Sequence, residues 1–337
     1  MIVVVTPNPA VDVTYRVAEQ RIGETQRVLD VARRPGGKGL NVGRVLAATG
    51  VDTRAVLPLG GTPGRWIADA LDALGVAHSD VTVHGETRTT VTVVDDLAHP
   101  TMFGEPGPVL DPAEWDAVAV VVSALVDDPR TTALVVSGSL PGGTDPAVVG
   151  RWVGAARGYD VLTVVDCSGG ALLAAADAGA TICKPNREEL LDATGAPDER
   201  SGALALLRRG ARIVVVSRGA DGIAAHTLDR TIEVPAVPGV SGNPTGAGDA
   251  ATAGLVRALV GAPFIDDTGL LDDTGPLDDT GLLDDTGPLD DALLRRALRS
   301  AAAHGAAAVL QPVAGEVDPA VVQRFLDHDH NGTRTSA

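Results

Sequence analysis

Four short runs of mainly apolar residues constrain the fold of this 337-residue chain more strongly than any other feature. They occupy residues 2–5, 133–136, 161–165 and 213–216. Strands that are buried on both faces have this pattern, which predicts a parallel β-sheet covered by helices and thus an α/β fold. Hydrophobic residues make up 45% of the chain and aromatic residues only 2%, so the core must be built mainly from Val, Ala and Leu.

The composition argues against several classes of protein. The formal net charge of −17 argues against a nucleic-acid-binding protein, because such proteins usually present a basic face. No apolar run approaches the length of a membrane span, and the N-terminal residues lack the pattern of a secretion signal. Cys167 and Cys183 lie in apolar contexts without metal-ligand spacing, which predicts reduced core residues in a cytoplasmic protein.

Residues 242–250, with the sequence Gly-Asn-Pro-Thr-Gly-Ala-Gly-Asp-Ala, form a glycine-rich turn between a strand-like stretch at 231–237 and a helical stretch at 251–259. Glycines let the backbone approach an anion closely, and the N–H groups of a first helical turn point at it. Asp249 has two interpretations here. It is either an N-cap or first-turn residue that satisfies the helix dipole, or a general base that takes a proton from an attacking hydroxyl.

A second glycine-rich turn opens a predicted helix within residues 33–50, and Gly50 ends that helix. Its spacing matches neither a Walker A loop nor the G-x-G-x-x-G fingerprint. The glycines would bring backbone N–H groups close to a polar ligand, with Lys38 and Asn41 as side-chain donors. The alternative is a tight turn that carries a solvated lysine.

Two further stretches predict a small sheet apart from the main one. Residues 11–32 and 87–106 contain alternating polar and apolar side chains, and we expect them to pair as a lid. Arg88 begins a strand at the base of this lid. It is either a surface cation or a guanidinium that binds a substrate phosphate through two hydrogen bonds.

Polar residues follow several predicted strands of the main sheet, at the edge where ligands of open parallel sheets bind. These residues are found at 137–143, 166, 184–190 and 217–222. Asn186 and Glu189 match a capping box of the following helix, or alternatively face the active site and organise water around Mg²⁺. The glycines of 217–222 would allow a nucleotide to approach the backbone closely.

Residues 266–291 repeat Asp-Asp-Thr-Gly with a six-residue step, which accounts for much of the acidic excess. This segment has too little apolar surface to offset its ordering entropy, so we expect a mobile acidic insertion. It lacks the glycine-rich nonapeptide pattern of calcium-binding repeats. We predict an Ala-rich helix at 293–310 after it, then a short helix at 319–327 and a polar tail at 328–337.

The two glycine-rich segments, at 36–50 and 243–255, resemble the signatures of the PfkB (ribokinase-like) family of carbohydrate kinases, in the same order. The resemblance covers nearly the whole chain apart from the acidic insertion and the tail. It implies a single kinase domain over residues 1–337, folded as a three-layer α/β/α sandwich with a small β-sheet lid. It also implies transfer of the γ-phosphate of ATP to a sugar hydroxyl, with Mg²⁺ as cofactor.

Roles of individual residues are implied by the same resemblance. Asp249 resembles the family's catalytic base, and the N–H groups of Gly246, Ala247 and Gly248 resemble its anion hole for the transferred phosphoryl group. Sugar contacts are implied for Asp12, Gly37, Lys38 and Asn41, nucleotide contacts for Lys184, Asn186, Ser217, Gly219 and Gly222, and water-mediated Mg²⁺ binding for Asn186 and Glu189. His304 either lies near the adenine or is a packed helix histidine.

Three more stretches, at residues 6–12, 87–88 and 137–141, are similar to the phosphohexose kinase branch of this family. That branch contains 1-phosphofructokinase, tagatose-6-phosphate kinase and the minor 6-phosphofructokinase. The similarity implies a hexose monophosphate as acceptor, either fructose 1-phosphate or tagatose 6-phosphate. Arg88 and Ser139 would bind its phosphate, since that group needs cationic and hydroxyl donors.

Several alternatives stay open at this point. A free-sugar kinase for fructose or ribose, or a nucleoside kinase, would share the same fold, and a catalytically silent sugar-phosphate sensor is a third possibility. Residues 243–245 depart from the pattern of the phosphohexose kinases, which leaves a monovalent-cation site open. The resemblance further implies a homodimer formed through the lid.

Overall fold

The computed structural model describes residues 1–95, 100–261, 291–311 and 313–331, with the side chains described as far as residue 327. The predicted acidic insertion at 266–291 lies outside the described residues, apart from Asp291, which begins a helix. The predicted polar tail at 328–337 lies outside them as well, apart from the helical backbone of residues 328–331.

Thirteen strands and ten α-helices alternate along the described part of the chain. The strands are β1 (Ile2–Val5), β2 (Ala10–Arg16), β3 (Asp30–Gly36), β4 (Thr53–Gly60), β5 (His78–Val83), β6 (Arg88–Val94), β7 (Thr101–Gly104), β8 (Ala133–Ser137), β9 (Leu162–Asp166), β10 (Ile182–Cys183), β11 (Ile213–Ser217), β12 (Ile223–His226) and β13 (Thr231–Val234). The helices are α1 (Lys38–Ala48), α2 (Gly61–Ala73), α3 (Pro112–Val126), α4 (Ala147–Arg157), α5 (Gly169–Asp177), α6 (Arg187–Thr194), α7 (Glu199–Arg209), α8 (Ala247–Leu259), α9 (Asp291–Val309) and α10 (Pro319–Asn331).

Nine strands form the main sheet, in the order β13-β12-β11-β10-β9-β8-β1-β4-β5. The strands from β11 to β5 in this order are parallel to their neighbours, and they include all four apolar runs, so the predicted parallel sheet is confirmed. The last two strands at the other edge, β12 and β13, are antiparallel. The strand predicted at 231–237 ends early, because Pro235 has no N–H group to continue the pairing.

Helices cover both faces of the main sheet. On one face, Val4 of β1 belongs to an apolar cluster with residues of α1, α8, α9 and α10. On the other face, the next residue, Val5, belongs to a cluster with residues of α3, α4, α5 and α7. Both faces of the strands are therefore buried, as their unbroken apolar sequence requires, and the predicted three-layer α/β/α sandwich is confirmed.

A second sheet of four strands, in the order β3-β2-β6-β7, forms the small lid. Strand β3 continues to Gly36, beyond the range of 11–32 expected from the sequence, because it pairs with β2 along its whole length, from Ala10 opposite Gly36 to Arg16 opposite Asp30. The lid strand therefore runs directly into the first glycine-rich turn. This continuity places the inner face of the lid over the carboxyl edge of the main sheet.

The predictions for the two cysteines and for membrane spans can be compared with the described residues. Cys167 and Cys183 are buried and free, and burial raises the pKa of Cys183 to about 12 and that of Cys167 further. Both cysteines are therefore core residues, as predicted. Among the helices of the described ranges, none combines the length and the apolar character that crossing a membrane requires.

Candidate active site

A cavity of about 590 Å³ lies between the carboxyl edge of the main sheet and the lid. Most of the residues that the sequence predicted for the site line this cavity. They are Asp12, Gly37, Lys38, Asn41, Arg88, Ser139, Lys184, Asn186, Glu189, Ser217, Gly246, Gly248 and Asp249. The structure thus brings the two glycine-rich turns, three strand ends and the base of the lid to one place.

Asp249 lies in the first turn of α8 and lines this cavity. Gly246 holds the N-cap position with a φ of 82°, a left-handed conformation that favours glycine, and a Cβ there would lie 2.7 Å from the Cβ of Ala314. Asp249 is therefore the third residue of the helix: it is not the N-cap, but it is the acidic first-turn residue that the non-catalytic interpretation also allowed. Its carboxylate Oδ2 instead accepts a hydrogen bond of 2.9 Å from Nδ2 of Asn41.

The carboxyl group of Asp249 has an unusual pKa. Its side chain is almost fully buried, and burial together with the nearby charge of Asp166 raises the pKa from 3.8 to about 7. The hydrogen bond from Asn41 and the charges of Lys38 and Lys184 act in the opposite direction but do not outweigh burial. This carboxyl group can therefore gain and lose a proton near neutral pH, as a general base must.

Asp166, at the end of β9, is a second buried carboxylate, and the sequence analysis assigned it no role. Its oxygens lie 3.0 Å from Nζ of Lys184 and 3.8 Å from Nζ of Lys38, and Oδ2 accepts a 2.7 Å hydrogen bond from the hydroxyl of Thr252. Burial alone would raise its pKa, but these partners outweigh burial and lower it. We call Asp166, Lys184, Lys38, Asp249 and Asn41 the charged floor.

Asn186 and Glu189 form the capping box of α6. Oδ1 of Asn186 accepts from the N–H of Glu189 at 2.8 Å, and Oε2 of Glu189 accepts from the N–H of Asn186 at 2.9 Å. The capping interpretation is therefore correct. Both residues also line the cavity, and Oε1 of Glu189 lies 3.2 Å from Nζ of Lys38. Carboxylate and amide oxygens are the protein ligands that suit Mg²⁺, so this donor set fits the metal that the resemblance implies.

The lid end of the cavity combines a carboxylate with arginines. Arg88 donates from Nε to the carbonyl oxygen of Asn8 at 3.2 Å and from Nη1 to that of Glu105 at 3.0 Å. Burial raises the pKa of Asp12 to about 6, although the charges of Arg88 and Arg44 act to lower it. The position at the base of the lid predicted for Arg88 is confirmed, and its guanidinium faces the same cavity as Asp249.

The described residues that line the cavity do not include four of those assigned to the site: Ala247, Gly219, Gly222 and His304. The N–H of Ala247 donates to the carbonyl oxygen of Pro244 at 3.2 Å. The ring of His304 is fully buried, and its Nδ1 lies 2.7 Å from the carbonyl oxygen of Ser300. Burial lowers its pKa to about 4. His304 is therefore a packed helix histidine, the second of the two interpretations.

The two glycines after Ser217 have a structural explanation. Gly222 has a φ of 90°, and a Cβ there would lie 2.2 Å from the carbonyl oxygen of Val234. Gly219 begins a short 3₁₀ turn, and its carbonyl oxygen accepts a hydrogen bond of 3.1 Å from the N–H of Gly222. The turn places Ser217 at the cavity, while Gly222 lets β12 pass close to β13.

Some residues of the site were not found from the sequence. Arg34 and Arg44 line the cavity on either side of the first glycine-rich turn, and Glu316 pairs with both. The position of Asp166 at the carboxyl end of a buried strand was a usable signal. Glu316 carried none, because it lies 282 residues from Arg34 in the sequence.

Comparison with known proteins gives a consistent set of matches. The model of the pfkB family carbohydrate kinases matches residues 6–320. The 1-phosphofructokinase of Haloferax volcanii is 38% identical over 264 residues, which cover 77% of this chain and 84% of that protein.

Solved structures agree with the fold. Phosphofructokinase-2 from Escherichia coli in complex with potassium superposes with a TM-score of 0.81 at 25% identity, covering 97% of this chain and 98% of that one. The same enzyme in complex with fructose-6-phosphate gives a TM-score of 0.78 over the same shares of both chains. Ribokinase of Arabidopsis thaliana, complexed with ribose and ATP, gives 0.68 at 21% identity, over 96% of this chain and 98% of that one, and shares the fold.

Proposed function

The chain belongs to the pfkB family of carbohydrate kinases, and on that premise we propose that it transfers the γ-phosphoryl group of ATP to a hydroxyl of a hexose monophosphate. The acceptor is fructose 1-phosphate or tagatose 6-phosphate. One observation carries the proposal: a buried carboxyl group with a pKa of about 7, Asp249, shares a cavity with the arginines at the base of the lid.

Asp249 acts as the general base. The hydroxyl of the acceptor must lose its proton as it attacks phosphorus, and a buried carboxylate at the start of α8 accepts that proton. Burial disfavours the ionised form, so the carboxylate binds the proton more readily than an exposed Asp would. Asn41 fixes the orientation of the carboxylate through its 2.9 Å hydrogen bond.

The start of α8 and the two lysines of the charged floor stabilise the transferred phosphoryl group. The N–H groups of Gly246 and Gly248 and the positive end of the helix dipole favour an anion at this position. Lys38 and Lys184 are held there by Asp166, which keeps their ammonium groups in a fixed geometry. The N–H of Ala247 would join this anion hole only after its hydrogen bond to the carbonyl oxygen of Pro244 is broken.

Asn186 and Glu189 are the residues that would hold Mg²⁺ through water, beside the nucleotide contacts Lys184 and Ser217. When bound, the metal supplies positive charge that offsets the negative charge developing on the phosphate oxygens. A monovalent cation near residues 243–245 belongs to the proposal as well. Its support is the E. coli relative, which was solved in complex with potassium.

Arg88 and Ser139 bind the phosphate that the acceptor already carries. Both line the cavity, Arg88 from the base of the lid and Ser139 from the loop after β8, and an arginine forms paired hydrogen bonds to phosphate. The Haloferax volcanii relative, a 1-phosphofructokinase, and the E. coli enzyme in complex with fructose-6-phosphate support an acceptor of this class. The arginine-rich lid end also favours this function over a free-sugar or nucleoside kinase. The intact charged floor argues against a silent sensor.

We propose a homodimer formed through the lid, in a cytoplasmic enzyme. Strand β7 is exposed along its whole length, and Phe103 lies on the face opposite to Met102, which lines the cavity. Leu29 and Val31, at the other edge of the same sheet, are exposed too. A surface with several large apolar side chains is typical of a protein–protein contact. Sedimentation equilibrium of the wild type and of a Val31→Lys/Phe103→Lys variant would test it, since only the wild type should dimerise.

A panel of acceptors with ATP and Mg²⁺ tests the proposed function. The release of ADP is measured with fructose 1-phosphate, tagatose 6-phosphate, fructose 6-phosphate, fructose, ribose and a nucleoside. We expect kcat/KM for the first or second compound to exceed that for fructose by a factor on the order of 10² or more. Preference for a free sugar or a nucleoside would support the alternative kinases, and turnover of no acceptor would support the sensor.

A further inference from the structure

The segment 313–316, between α9 and α10, touches three parts of the proposed site. Val313 and Ala314 line the cavity, and Ala314 packs against Gly246 of the catalytic turn, where a Cβ would lie 2.7 Å from its own. Gly315 has a φ of 74°, and a Cβ there would lie 2.6 Å from Oδ1 of Asn41, the partner of Asp249. The segment is therefore packed against the machinery of phosphoryl transfer.

Glu316, the last residue of this segment, pairs with two arginines that line the cavity. Its Oε1 accepts a hydrogen bond from Nη1 of Arg34, on lid strand β3, and lies 3.4 Å from Nη2 of Arg44, on α1. One carboxylate oxygen therefore holds two guanidinium groups from two different elements. The side chains of Arg34 and Glu316 are partly exposed, with 39% and 37% of their area accessible, whereas that of Arg44 is 13% accessible.

The charges explain why such a carboxylate is needed. Arg34 and Arg44 repel each other, and Glu316 offsets this repulsion without using up their donors, because each guanidinium carries five N–H groups. Both arginines line the cavity together with Arg88. Arg88 already gives two of its five N–H donors to backbone carbonyl oxygens, which leaves three for a phosphate whose three terminal oxygens can each accept more than one hydrogen bond.

We propose that Glu316 is a positioning residue, which holds Arg34 and Arg44 as a second cationic arm for the phosphate of the acceptor. We call these two residues the arginine pair. The inference rests on the proposed function and deepens it, because it names the residues that select a phosphorylated hexose over a free one. Since the same segment packs against Gly246 and Asn41, Glu316 also ties lid strand β3 to the catalytic turn.

The test uses Glu316→Gln, which keeps the size of the side chain and removes its charge. Asp318→Asn is the matched control, because it removes one charge two residues away on an exposed helix cap, where Asn caps equally well. Arg34→Ala and the double variant Arg34→Ala/Glu316→Gln complete a double-mutant cycle, which measures the coupling between the two side chains. Steady-state KM values are measured for the preferred hexose monophosphate, its free hexose and ATP, and calorimetry gives the dissociation constant of the hexose monophosphate without turnover.

We expect Glu316→Gln and Arg34→Ala each to weaken binding of the hexose monophosphate by about tenfold, because a fixed guanidinium loses its orientation. KM for ATP and for the free hexose should change by less than about twofold, and Asp318→Asn should match the wild type. The double variant should lose less than the product of the two single losses, since Glu316 acts in part through Arg34. Hydrogen exchange in β3 should also be faster in Glu316→Gln than in the control.

Two results would overturn the inference while leaving the proposed function intact. The first is a wild type that phosphorylates a hexose monophosphate and a Glu316→Gln variant that binds this substrate equally well or more tightly. Tighter binding would mean that the Glu316 carboxylate competes with the substrate phosphate for the arginine pair. The second is an equal loss for ATP, free hexose and hexose monophosphate, which a merely structural residue would cause. A wild type that binds no hexose monophosphate at all would overturn the proposed function and this inference together.

Discussion

The charged floor and the lid end of the cavity both hold charged groups, but they hold them differently. In the charged floor, Asp166, Lys184 and Asp249 are almost completely buried. Burial acts to raise the pKa of both carboxyl groups: it raises that of Asp249 to about 7, whereas at Asp166 the nearby lysines and the hydroxyl of Thr252 outweigh burial and lower the pKa.

At the lid end, Arg34 and Glu316 keep more than a third of their area exposed, while Arg44 behind them is largely buried. Lys38, at the border of the floor, is exposed to a similar degree as Arg34. Electrostatic interactions are accordingly strongest among Asp166, Lys184 and Asp249 and more screened by solvent at Arg34 and Glu316.

This difference indicates a division of work. Proton transfer and charge stabilisation need a dry, rigid environment, because preorganised dipoles act most strongly where water is excluded. Recognition of a phosphate needs cations that can be reached from solvent and that lose little hydration when the ligand binds. We therefore expect variants in the floor to change kcat and variants in the lid to change KM for the acceptor.

The largest effect is expected for Asp249→Asn, which keeps the shape of the side chain but cannot accept a proton. It should lower kcat by a factor on the order of 10³ or more and leave the KM values nearly unchanged. Asp198→Asn is the control, since Asp198 also begins a helix but caps α7 on the exposed surface. Turnover of Asp249→Asn at the wild-type rate would remove Asp249 from the mechanism.

The next largest effect is expected for Arg88→Ala. Loss of a guanidinium that contacts the phosphate should raise KM for the hexose monophosphate by about 10- to 100-fold, while KM for ATP stays within about twofold. Steady-state kinetics with each substrate varied in turn measure both constants, and Arg65→Ala on the exposed side of α2 serves as control. A similar rise for both substrates would mean that Arg88 supports the structure rather than the acceptor.

A smaller effect is expected for Asn41→Ala, and it concerns pH. The hydrogen bond from Asn41 favours the ionised form of Asp249 and lowers its pKa, so its removal should raise that pKa. The rise of kcat with pH, which reports the general base, should then move to higher pH. A profile of kcat between pH 5 and 9 would show this, and a shift to lower pH would contradict the assigned role of Asn41.

The smallest effect is expected in stability. Because burial raises the pKa of Asp249 from 3.8 to about 7, the folded chain binds more protons than the unfolded chain between these values, and the wild type loses stability as pH rises through this range. Asp249→Asn removes that loss. It should be more stable than the wild type at pH 8 by roughly 1 to 3 kcal/mol and about equal near pH 4. Urea unfolding at both pH values measures the difference; equal stability at pH 8 would mean that burial does not raise the pKa of Asp249.

The same contrast explains what the sequence could predict. The strands of the main sheet are local apolar runs, and Asp249 sits in the same short stretch as the glycines that shape its turn, so both could be found from neighbouring residues. The hydrogen bond between Asn41 and Asp249 joins residues 208 positions apart. The meeting of the two glycine-rich turns at one site was predicted, because each turn is recognisable by itself, but the hydrogen bond between these two side chains was not.

Other features depend on the tertiary structure alone. Asp166 can be recognised as a site residue only from its ion pairs with Lys38 and Lys184, which come from different parts of the chain. An Asp at the end of a strand is common without such partners, so its position alone does not indicate a role. Glu316 meets Arg34 only because the segment before α10 folds back over the lid strand. His304 sits in a predicted helix, but periodicity does not show that its ring lies in the core between α8 and α9 rather than at the cavity.

The division of work between floor and lid is tested most directly by one ratio: kcat/KM for the hexose monophosphate over kcat/KM for the same hexose without phosphate. It is measured in the wild type, Asp249→Asn and Arg88→Ala. We predict that Asp249→Asn lowers both values by the same factor and preserves the ratio, whereas Arg88→Ala reduces the ratio by about tenfold or more. A ratio that changes in Asp249→Asn, or stays constant in Arg88→Ala, would contradict the account.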